Sequence, residues 1–267
     1  MPESWRGAPP PEQRLDADAA ATGGPYTMPW DAPLFPPFPM RFRDVSILTV
    51  CYRTEPAAVE RILPQPLERV GDVVIAHIYR MPDVDFAGAV HECNVMVGAR
   101  LPQGDESVEG GYSVGLYLDS DAGVAHGREV HGQPKKLASL ALEARGDLVV
   151  GEVERNGITF LTATLPYKQR EARLADMRQH FDFAENINYK VIPHIDGSPA
   201  VRQLTARHLE ELEIAECWGG PCTVELRPNA QAPIYRLPVV EPLEGYFWRA
   251  SFTLVPGRVL HNYLATT

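Results

Sequence analysis

Runs of β-branched and aromatic residues follow one another along most of this 267-residue chain, and helical periodicity is scarce. The stretches 46–52, 73–80, 91–101, 112–118 and 148–155 all read as strands. Arg155-Asn156-Gly157-Ile158 sets one of them against a partner. Asn-Gly supplies the positive φ angles of a type I′ turn, so 158–167 is predicted to return antiparallel. Further strands are expected over 222–226 and 245–254. Helices are predicted at three places only. Thr54 is placed to cap one that runs to Leu63, with Pro56 near its start and Pro64 at its stop. Residues 170–181 carry helical periodicity, and a short C-terminal helix is expected over 256–264. Many strands with few long helices predict a mainly β (α+β) fold of barrel or sandwich type.

Hydrophobic residues make up 45% of the chain, enough for one packed core. The net charge of −10 argues against nucleic acid or an anionic membrane as the main partner. No run of 18 apolar residues occurs, so no membrane span is expected. The first residues lack a basic segment followed by an apolar one, so no signal peptide is expected and a cytoplasmic location follows. Cys51, Cys93, Cys217 and Cys222 have neither disulfide-framework nor zinc-site spacing and read as free buried thiols. Ten of the 25 prolines fall in residues 1–40. Residues 1–38 therefore read as a Pro-rich, partly disordered arm, in which Trp30, Phe35 and Phe38 are candidate anchors. Residues 39–267 read as a single domain.

Lysine is nearly absent. Of the 25 basic residues only four are lysines, at 135, 136, 168 and 190, yet two of these are adjacent. Arginine stays protonated, whereas lysine can give up its proton and attack as an amine. A second ammonium or an apolar pocket disfavours the charged form, so adjacency is a route to activation. The structural alternative is a chance surface pair.

The segment Gly127-Arg128-Glu129-Val130-His131-Gly132-Gln133-Pro134-Lys135-Lys136-Leu137 resembles a signature of the acetoacetate decarboxylase superfamily. That enzyme is the standard instance of a lysine activated by a neighbouring cation. Tyr52-Arg53-Thr54, the Thr162-Ala163-Thr164 and Tyr167-Lys168 hairpin, Ile192-Pro193 with Asp196-Gly197-Ser198-Pro199, Glu216-Cys217-Trp218-Gly219-Gly220-Pro221 and Leu237-Pro238-Val239 are similar in the same order, from about residue 40 to 264. The resemblance implies a closed β-barrel or cone-like sheet with a few peripheral helices, and a homo-oligomer. It makes Lys135 the Schiff-base lysine, Lys136 the residue that depresses its pKa, and Glu92 the catalytic glutamate. Two positions depart. His77 stands where the family has a glutamate, and Val45 where it has an arginine; Arg43 or Arg41 reaches that place only with a small shift.

Period two refines the site. Val90, Glu92, Asn94 and Met96 share one strand face, as do Val73, Ile75, His77 and Tyr79. If these faces line a cavity, Glu92 is set to move protons and His77 is a second candidate acid–base or substrate-binding group. Gln133 and Arg43 complete the substrate-binding candidates. There is no HExxH, P-loop, GxSxG or GxGxxG pattern, so neither a metal nor a cofactor is expected. The expected function is Schiff-base lyase chemistry on a small oxo acid. The altered positions lean it towards pyruvate aldol condensation–dehydration with an aldehyde. Acetoacetate decarboxylation is the alternative, and a non-catalytic ligand-binding barrel the alternative of another class.

Overall fold

The computed structural model describes residues 27–29, 32–104 and 106–265. Most of the arm predicted over 1–38, Trp30 included, lies outside them. The chain divides into two units, Met1–Pro37 and Phe38–Thr267. The described part of the first holds bends alone.

The second unit is built from β1 (Met40–Arg53), β2 (Glu68–Val84), β3 (Gly88–Gln103), β4 (Glu106–Leu118), β5 (Lys135–Leu137), β6 (Ser139–Arg145), β7 (Leu148–Arg155), β8 (Ile158–Leu165), β9 (Arg170–Glu171), β10 (Asn186–Pro193), β11 (Pro199–Arg207), β12 (Leu209–Gly220), β13 (Thr223–Leu226), β14 (Glu241–Leu254) and β15 (Arg258–Asn262). Its helices are short: α1 (Pro56–Ile62), α2 (Asp121–His126) and α3 (Leu174–Arg178). An 11-stranded sheet runs β15-β11-β10-β4-β3-β2-β1-β14-β12-β9, with β5 beside β4. A four-stranded sheet runs β13-β8-β7-β6.

Alternation explains the packing. On β1, Leu48, Val50 and Tyr52 face one apolar cluster, which includes Val149, Val153 and Phe160 of the smaller sheet. Val45, Ile47 and Cys51 face the other, with Tyr246, Trp248 and Phe252. The large sheet is thus covered on both faces at its centre, which is why its strands are near-continuous apolar runs. The Asn-Gly hairpin forms as predicted, with φ of 55° at Asn156 and 75° at Gly157 and Arg155 paired to Ile158.

The large sheet is not the closed barrel expected. Its ends, β15 and β9, do not pair with each other. Within the sheet, the outer edge of β4 is shared. Gly111 and Tyr112 pair with β10, while Leu116, Tyr117 and Leu118 pair with β5. β11 and β12 are separated only by His208 in sequence, yet they ladder with other strands.

Local expectations also shift. The predicted C-terminal helix is strand β15, recruited to the edge of β11. Residues 170–181 divide into β9 and one turn of helix, because Arg170 and Glu171 pair with β12. Helix α1 begins at Pro56 after Glu55, without a side-chain cap. All four cysteines are free and buried. No described helix is long and apolar enough to cross a membrane.

Candidate active site

The adjacent lysines point apart because strand neighbours alternate across a sheet. Lys135 turns towards β3, and its ammonium lies 2.9 Å from Oε2 of Glu92, both side chains being nearly buried. Lys136 turns the other way and donates to the carbonyl of Gln231 at 2.6 Å. The Gln231 side chain holds Arg155 through Nε and Nη2, at 3.0 and 2.7 Å. Arg155 in turn donates to the carbonyl of Leu137. One lysine faces the interior, and the other ties β5 down from behind. Desolvation lowers the pKa of Lys136, helped by Arg155 and Arg128.

The turn before β5 sets the reach of Lys135. α2 widens into a π-type turn over Gly127–His131, which ends at Gly132. Such widened turns occur often at functional sites. Gly127 lies directly against Lys135. A Cβ there would fall 2.6 Å from Lys135 Cε and 2.8 Å from the side-chain amide of Gln133. The Gln133 amide reaches the other way: oriented with its oxygen towards Arg207, it accepts from Nε at 3.0 Å and Nη2 at 3.1 Å.

A cavity of about 320 Å³ opens beside this group, lined among others by His77, Tyr79, Asn94, Met96, Arg207 and Trp248. Tyr79 pairs across the ladder with Glu92, and His77 with Asn94. The two strand faces read from period two therefore form one wall. Glu92, which Lys135 meets, is the ladder partner of the lining residue Tyr79, and both Tyr79 and Arg207 feel its charge. Burial lowers the pKa of Arg207, partly offset by Glu92 and Tyr79.

His77 is fully enclosed. Its Nδ1 lies 2.7 Å from Thr49 Oγ1, which also accepts from Trp248 Nε1 at 2.8 Å. Desolvation pushes its pKa down to about 3, so the ring is neutral at physiological pH. His126 and His131 pack against Phe38. Burial first, then charges including Lys135, pushes them down to about 3 and about 2.

The structure does not bring Arg43 to this group. It is an exposed residue paired with Asp83 and Asp85. Val45 is wholly buried. Arg207 is the residue sequence reading missed. It ends β11, over which no strand was predicted, since the resembling segment stops at Pro199, and nothing in its neighbours marks it as inward-facing. Among the described residues no cluster of His, Cys, Asp or Glu is arranged to hold a metal.

A nearly buried amine–carboxylate pair next to a partly apolar cavity, carried on an open β-sheet, defines a lysine-centred site of the kind that forms imines with carbonyl compounds. The chain belongs to the acetoacetate decarboxylase (ADC) family, whose profile matches residues 24–264. It is 36% identical over 239 residues to an acetoacetate decarboxylase of Paraburkholderia xenovorans strain LB400, covering 90% of this chain and 93% of that one. The crystal structure of acetoacetate decarboxylase from Legionella pneumophila superposes with a TM-score of 0.83 at 30% identity, covering 95% of this chain and 99% of that chain. An enduracididine biosynthesis enzyme complexed with pyruvate superposes with a TM-score of 0.74 at 17% identity, covering 90% and 98%, a likeness of fold.

Proposed function

We propose that this protein is a Schiff-base lyase that decarboxylates a 3-oxo acid without a cofactor. The observation that carries the reading is the 2.9 Å contact between Lys135 and Glu92 beside the cavity. Glu92 takes a proton from the Lys135 ammonium. The neutral amine adds to the ketone carbon of the 3-oxo acid, and water leaves to give a protonated imine. The bond between the carboxyl carbon and its neighbour then breaks. Carbon dioxide departs, and the electron pair forms an enamine conjugated to nitrogen. A proton is returned to that carbon, and water releases the methyl ketone and restores the amine. Glu92 is the group placed to move these protons.

Decarboxylation is favoured here over the pyruvate aldol condensation suggested by His77 and Val45. The support is the name shared by curated relatives at 36% identity over 90% of the chain. Lys136 takes a different part from the one the resemblance implies. Its bond to Gln231 fits it to hold β5, and thereby Lys135, in place.

Borohydride reduction in the presence of acetoacetate, followed by peptide mass mapping, tests the reading. An isopropyl adduct on Lys135, absent from Lys135→Arg, is expected. No adduct with acetoacetate, larger 3-oxo acids or pyruvate would leave only a non-catalytic ligand-binding fold.

A further inference from the structure

Arg207 is a guanidinium in search of an anion. Its partner is the neutral amide of Gln133. Among the described residues it forms no ion pair, although burial penalises its charge. Glu92 offsets that penalty only in part, and a buried guanidinium with no carboxylate in direct contact, facing a cavity, is stabilised further by an anionic ligand. Bidentate geometry suits guanidinium to a carboxylate. Gln133 holds the guanidinium on the side of Lys135, two residues away in sequence. Burial keeps the His77 ring neutral; the wall also carries Arg178 and the carboxylate of Glu185, the latter paired with Arg258 at 3.2 Å.

The remainder of the cavity is too large and too apolar for acetoacetate. Met96, Leu174, Phe183, Leu212, Trp248 and Phe252 line it. Its volume of about 320 Å³ is at the lower end of cavities that enclose whole drug-sized ligands, roughly 300–1,000 Å³. Acetoacetate, with seven non-hydrogen atoms, would leave the aromatic wall uncovered.

We infer that Arg207 binds the substrate carboxylate, and that the true substrates are 3-oxo acids bearing a bulky apolar or aromatic group beyond the ketone. This rests on the Schiff-base reading above. The products are carbon dioxide and the corresponding methyl ketone.

Two comparisons test it. First, kcat/KM is measured for acetoacetate, 3-oxohexanoate and 3-oxo-3-phenylpropanoate. The phenyl acid is expected to exceed acetoacetate by about 10-fold or more, the value of one or two extra buried apolar groups. Equal or better turnover of acetoacetate overturns the substrate class, while an adduct on Lys135 in the same samples would leave the Schiff-base reading standing. Turnover of pyruvate with an aromatic aldehyde, in place of decarboxylation, overturns it too. Second, Arg207→Met is assayed with the phenyl acid and with pentane-2,4-dione, an uncharged carbonyl whose enaminone on Lys135 absorbs in the near ultraviolet. KM for the acid is expected to rise by about 100-fold, the scale of a lost charge-assisted contact, with a smaller change in kcat. Enaminone formation persists. Loss of both together marks a structural role and overturns the assignment, as does an unchanged KM.

Discussion

Three buried imidazoles make this protein acid-labile well above the range in which carboxylates titrate. His77, His126 and His131 have pKa values pushed from the ordinary 6.5 down to about 3, about 3 and about 2. Their exposures are 2%, 3% and 3%. Between those values and 6.5 the unfolded chain binds protons that the folded chain refuses. Stability is therefore fully present above pH 6.5 and is lost as pH falls. Each pH unit below 6.5 costs up to about 1.4 kcal/mol per imidazole. At pH 5.0 that is about 2 kcal/mol each, or about 6 kcal/mol for three, against a typical net stability of about 5–15 kcal/mol. Urea unfolding followed by tryptophan fluorescence at steps from pH 7.5 to 5.0 measures the slope directly. It should approach about 4 kcal/mol per pH unit near pH 5.5, and His77→Asn should remove roughly one proton, about 1.4 kcal/mol per unit. A stability that is flat or rising between pH 7.5 and 5.0 would refute the reasoning, because it would mean that these rings are hydrated or change partners on protonation.

The contacts around the lysines give two more tests. Gly127→Ala places a methyl group against Lys135 and Gln133, and a displacement of about 1 Å at a reacting group can cost about 100-fold in rate. kcat should fall by about that factor with the circular-dichroism spectrum unchanged, and full activity would show that the turn relaxes freely. Lys136→Met removes the bond to Gln231 and should lower stability by about 1 kcal/mol while the midpoint of the pH–rate profile stays in place. A profile displaced by a whole pH unit would instead make Lys136 an electrostatic partner of Lys135.

Local rules were legible where they act over a few residues. Asn156-Gly157 fixed its hairpin, since few dipeptides tolerate two positive φ angles in succession. Alternation placed Glu92 with Asn94 and Met96, and His77 with Tyr79, and both faces do meet at the cavity. The scarcity of lysine drew attention to residues 135 and 136. That the two lysines face opposite ways follows from their lying on strand β5, which was not predicted from the sequence. Residues 170–181 and 256–264 misled because a short periodic segment beside a sheet is claimed by whichever edge offers hydrogen bonds, as β12 and β11 do.

By itself the sequence determined a β-rich chain and singled out Lys135 and Glu92, which meet in the fold. Whether the large sheet closes was decided only in three dimensions, where its end strands β15 and β9 do not pair. The assembly of Arg207, Gln133 and the aromatic wall was decided there too. These residues are brought together by pairings between strands far apart in the chain, and the free energy of those pairings depends on neighbours that no local pattern names. The sequence thus supplied the lysine and the glutamate that meet at 2.9 Å, and the tertiary structure supplied the cavity next to them.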